Sequence, residues 1–139
     1  MEWQHYNRIK ASMSFIEELL KSMEEGMSGK GEIYKSVRND LTQEQLVKVK
    51  NEIKQIKRLL KQIKEDFGLE HSEYTLSRII QADCSFIWET IEDLWSHKLE
   101  KSSGKISSKK KKERLDNILK QIHESNDRIQ RVIGKERTQ

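Results

Sequence analysis

The residues able to do nucleophilic or metal chemistry are few: one cysteine, Cys84, and four histidines, His5, His71, His97 and His123. A thiol nucleophile needs a base at hand. Cys84 instead falls at helical spacing between Ile80 and Ile87, where a thiol acts as a small buried hydrophobe. Metal sites in helical bundles pair Glu-x-x-His segments. Glu2 and His5 have that spacing, but no second copy follows. His71 lies between Glu70 and Glu73, an arrangement suited at most to a loosely held divalent ion, and His97 and His123 stand alone. Gly26, Gly29 and Gly31 lack the Gly-Lys-Ser/Thr ending of a phosphate-binding loop. The expectation is a protein with no catalytic residues, no metal or other cofactor and no small-molecule substrate.

Charge chemistry is better supplied. The net charge of +4 is concentrated between Lys98 and Arg114, where eight basic residues meet only Glu100 and Glu113. The run Lys109, Lys110, Lys111 and Lys112, with Lys105 and Arg114 beside it, adjoins a serine-rich loop and the start of a helix. Lysine at a helix start opposes the helix dipole, and a bound phosphate would offset that penalty. A second basic feature is the row Lys50, Lys54, Lys57, Lys61 and Lys64, spaced 4-3-4-3. Like charges at such spacing each cost roughly 0.2–0.5 kcal/mol in an isolated helix. An internal partner for that row is the stretch 73–97, where Glu73, Asp83, Glu89, Glu92 and Asp93 face Arg78 alone; an external one is a nucleic-acid backbone. No aromatic residue is interleaved with the lysine run, so the stacking surface of a single-strand binder is missing.

Aromatic and aliphatic residues offer a third kind of contact. Trp3, Tyr6, Ile79, Trp88, Trp95 and Leu99 are candidates for a protein interface, Trp88 and Trp95 standing seven apart on one helix face.

The elements that hold these groups follow from apolar spacing. Leu46, Val49, Ile53, Ile56, Leu60, Ile63 and Phe67 step 3-4-3-4-3-4, a seam that must be covered by another helix. Ile9, Met13, Ile16, Leu20 and Met23 repeat the pattern, as do Leu76, Ile80, Cys84, Ile87, Ile91 and Leu94. So do Leu115, Ile118, Ile122, Ile129 and Val132, interrupted by Ser125 and Asn126. Thr42 with Gln45 makes a capping box, and Gly68 ends that helix. The expected fold is all-α: an antiparallel up-and-down four-helix bundle forming one domain, with helices over about 2–25, 43–67, 73–99 and 108–133. Residues 26–41 are an irregular connection, 100–107 a flexible loop and 134–139 a tail. On this register an aspartate at Ile56 unfolds the chain.

No apolar run reaches membrane-spanning length, and Met1–His5 has neither a basic start nor an apolar block. With a single cysteine no intrachain disulfide forms, and the expected setting is the cytoplasm. The expected role is a non-enzymatic interaction or scaffold protein, a homodimer or bound to a protein partner. The alternative is a nucleic-acid-binding accessory subunit using the lysine clusters.

Overall fold

A computed structural model describes residues 1–137. All its regular elements are helices: α1 (Trp3–Met27), α2 (Gln43–Asp66), α3 (Leu76–Glu92), α4 (Ser96–Ser103) and α5 (Lys109–Arg137). The protein is all-α. No described helix is long and apolar enough to cross a membrane. The helices fall into two compact units, Met1–His71 and Ser72–Gln139.

In the first unit α1 packs against α2. Leu20 and Ile53 are buried at the centre, and Ile9, Met13, Ile16, Leu46, Leu60 and Ile63 are half-buried around them. Each such aliphatic side chain contributes roughly 1.5–3 kcal/mol when fully covered. The ends of α2 are set locally. Thr42 Oγ1 accepts the Gln45 N–H at 3.1 Å, and Gln45 Oε1 accepts the Thr42 N–H at 2.9 Å. At the other end Gly68 takes φ +61°. The Leu69 N–H then reaches the Lys64 carbonyl at 2.9 Å, and the Gly68 N–H reaches Glu65 at 3.3 Å, satisfying two carbonyls that the helix leaves open. Helix α1 passes through Gly26 rather than stopping there, and turns out at Gly29, φ +73°. The spacing Glu2–His5 is used as a cap: the Glu2 N–H donates to His5 Nδ1 at 3.0 Å.

The seam of α2 is only partly covered. Ile53 is 4% exposed, whereas Ile56 is 37% exposed. The residue whose replacement by aspartate should unfold this unit is therefore Ile53, not Ile56. One helix covers one edge of a stripe this wide, and Val49, Ile56 and Phe67 lie along the uncovered edge.

In the second unit α3 and α4 both pack on α5. The spacing predicts one helix over 73–99; the structure divides it and delays its start to Leu76, after Thr75 in extended backbone (φ −78°, ψ 142°). The chain leaves the helix after Glu92, and Trp95 is extended (φ −53°, ψ 141°) before α4 begins. The cause lies twenty residues away: Asp116 of α5 accepts the Ser96 N–H at 2.8 Å and the Ser96 hydroxyl at 2.6 Å. A carboxylate held at a helix start satisfies open N–H groups and complements the dipole. Residues 100–103, expected in a loop, complete α4, which ends at Gly104 (φ +96°). Ser108 then starts α5, its hydroxyl accepting the Lys111 N–H at 3.2 Å. That helix runs through the start of the expected tail to Arg137; residues 138–139 lie outside the described residues.

Candidate interaction surfaces

One stripe of α5 organises the second unit: Lys112, Asp116, Leu119, His123 and Asn126, spaced 4-3-4-3. Each member faces α3, α4 or their junction. Lys112 pairs with Glu100 of α4. Asp116 holds Ser96. Leu119 is buried. The His123 ring lies against Trp88 of α3, centroids 6.2 Å apart and tilted by 39°. The Asn126 amide donates through Nδ2 to the Cys84 carbonyl at 3.0 Å. Asn126 is 2% exposed, and its Oδ1, like His123 Nδ1, is buried without a hydrogen-bond partner. Ser125 faces outward and accepts from Arg128 at 2.9 Å, so only one of the two interruptions in the apolar pattern crosses the core.

This stripe displaces the expected one. Of the seam read from spacing, Leu115 is half-buried, while Ile118, Ile122, Ile129 and Val132 are 41%, 44%, 45% and 67% exposed. The polar contacts of Lys112, Asp116 and Asn126 accompany a rotation of α5 that turns the aliphatic stripe outward. The hydrogen bonds made by this stripe offset part of the lost apolar burial, although Asn126 Oδ1 and His123 Nδ1 stay unpaired.

The acidic anchors are electrostatically set. The Lys112 ammonium, hydrogen-bonded to Glu100, holds that carboxyl below its ordinary value against the opposing effect of burial, and the Ile106 N–H and the Lys105 charge add smaller contributions in the same direction as Lys112. Asp116 is held down by the Ser96 hydroxyl and then the Ser96 N–H, with His97 and Lys112 nearby. The Ile106 N–H donates to Glu100 Oε2 at 3.2 Å, which closes the serine-rich loop onto α4.

The lysine run is thereby split. Lys112 is half-buried and committed to Glu100, while Lys105, Lys109, Lys110, Lys111 and Arg114 are exposed. In the first unit Lys50, Lys54, Lys57, Lys61 and Lys64 are all exposed along one flank of α2. Within that unit Lys57 pairs with Glu24 of α1, 2.6 Å from Lys57 Nζ. Lys50, Lys54 and Lys57 line a groove of about 440 Å³ with Glu24, Met27 and Ile53.

The candidate interface residues fall in both units. Trp3 and Tyr6 are exposed at the start of α1. Trp88 is part of the α3–α5 contact, and Trp95 and Leu99 are half-buried at the α3–α4 junction and on α4. Ile79 is exposed on the face of α3 turned away from Cys84. Sequence reasoning missed Glu24, Ser96, Glu100 and Asp116 as anchors. Their partners lie on other helices, and nothing within a turn of each residue announces them. Among the described residues no three or more His, Cys, Asp or Glu side chains are grouped so as to hold a metal ion.

Comparison with family models, with curated proteins and with solved structures gave no significant match.

Proposed function

We propose that this is a non-enzymatic interaction or scaffold protein whose helices complete their apolar cover against another helical chain, a second copy or a protein partner. The observation that carries the reading is the open stripe of α5: Ile118, Ile122, Ile129 and Val132 at heptad spacing and accessible to solvent. An apolar heptad stripe is a helix-pairing surface, and exposed apolar residues repeated along one helix face mark interaction sites even where, as at Ser125, one position is polar. The arrangement expected for the assembled helices is the antiparallel four-helix bundle, with two helical hairpins supplying two helices each. The setting on this reading is the cytoplasm.

Sedimentation velocity from low micromolar to near-millimolar concentration tests it. The wild-type chain associates, and Ile122→Glu/Ile129→Glu sediments as a monomer of unchanged helicity. Equal sedimentation of the two overturns the reading, as does a monomeric wild type that binds no hydrophobic dye.

A second reading is favoured by Lys105, Lys109, Lys110, Lys111 and Arg114, exposed together around the start of α5: an accessory subunit that contacts nucleic-acid phosphates. Mobility shift with DNA and RNA at low and high salt tests it, because phosphate-driven binding weakens steeply with salt. The control is Lys109→Ala/Lys110→Ala/Lys111→Ala; Lys112 is left in place because it anchors α4. No shift at low salt removes this reading.

A further inference from the structure

We infer that the groove beside the C-terminal end of α1 receives the acidic outer face of α3 from a second copy of this chain. The inference rests on the self-association proposed above and names a second pair of surfaces, beside the α5 stripe, that meet in it.

The groove has an apolar floor and a cationic rim. Met27, Val47 and Ile53 supply the floor, and Lys50, Lys54 and Lys57 stand along one side. Lys57 is neutralised by Glu24. Within the first unit Lys50 and Lys54 have no carboxylate within ion-pair distance. With Lys57 they form a like-charged run at spacing 4-3, which an anion from outside would relieve.

The complementary surface is on α3. Ile79 and Phe86 are exposed seven residues apart, two turns along the face opposite Cys84 and Ile91. Asp83 and Glu89 stand three residues to either side of Phe86 and are themselves exposed. An aromatic anchor between two carboxylates is what an apolar floor beside two free ammonium groups accepts. This is the helix-in-groove mode, in which apolar anchors give affinity and flanking charges give orientation. A single such contact joins unlike surfaces and would build open chains. Reciprocal exchange between two copies would instead fill two grooves.

A charge exchange tests this on the full-length chain. Lys50→Glu/Lys54→Glu and Asp83→Lys/Glu89→Lys each alter exposed residues, and circular dichroism verifies that helicity is kept. Each variant alone is expected to lose about tenfold or more in self-association by sedimentation equilibrium. Mixed one to one they recover it as a heterodimer, since each groove then meets a ridge of opposite sign. Phe86→Ala weakens association without changing its salt dependence. Either charge variant associating like wild type, or a mixture that fails to associate, overturns the inference. If the charge variants behave as wild type while Ile122→Glu/Ile129→Glu is monomeric, the interaction reading stands and this pair of surfaces is wrong. A wild type that never associates overturns the inference directly.

Discussion

Replacing Asp116 by alanine isolates the contact that divides α3 from α4. The carboxylate accepts two hydrogen bonds from Ser96, at 2.8 and 2.6 Å, and Ser96 is buried. Without Asp116 the Ser96 N–H lies at a helix start with no acceptor, and its hydroxyl must turn elsewhere. An orphaned buried donor costs about 1–3 kcal/mol, and a lost helix cap about 0.5–2 kcal/mol. The hydroxyl can rotate to a new partner, so the two losses overlap, and Asp116→Ala should destabilise the chain by about 2–4 kcal/mol. Against a typical total of about 5–15 kcal/mol that is a large fraction, readable as a lower urea midpoint followed by circular dichroism. The pH dependence has a definite sign. The native Asp116 carboxyl lies below its ordinary value, so its stabilisation is complete above the unfolded pKa of about 3.9 and is lost as pH falls through the native value. Asp116→Asn, which keeps one acceptor but no charge, should therefore trail wild type near neutrality and approach it in acid. Glu113→Ala, an exposed neighbour, is the control. A midpoint for Asp116→Ala within error of that control refutes the assignment of the helix break to this carboxylate.

Other outcomes are expected from single positions. Asn126→Leu removes an unpartnered buried oxygen along with one hydrogen bond, so stability should change by less than about 1 kcal/mol. Asn126→Asp sets a buried carboxylate against the Cys84 carbonyl and should lose about 3 kcal/mol or more at neutral pH; chemical denaturation of both variants checks the contrast. Ile53→Asp should abolish the cooperative unfolding of the α1–α2 pair, whereas Ile56→Asp should leave helicity largely intact. Gly68→Ala forces a side chain into φ +61° with open space around it; the expected loss of about 1 kcal/mol is conformational only, measured as a small drop in melting temperature. Glu24→Ala removes a half-exposed ion pair and should cost under about 1 kcal/mol, less at high salt.

The helices were legible because their signals are local. Apolar spacing gave α1, α2 and α5 to within a few residues, and the reciprocal bonds of Thr42 and Gln45 lie inside one turn. The αL position of Gly68 follows from having no Cβ. The exposed cations were equally legible as residues, but not their commitments. Lys57 and Lys112 look like their neighbours in the sequence, yet each meets a carboxylate from another helix.

Sequence alone determined that the chain is helical, where α2 begins and ends, and that one stripe per helix seeks a partner, because these depend on bonds and periodicities spanning a few residues. Tertiary structure decided the break at residues 93–95 and the rotation of α5. Both turn on polar groups that must find partners across the hairpin: Asp116 for Ser96, Asn126 for Cys84, Lys112 for Glu100. Apolar burial is non-directional and would accept either of two adjacent stripes. Hydrogen bonds to buried donors are directional, so they favour the polar stripe and leave the isoleucines exposed to solvent.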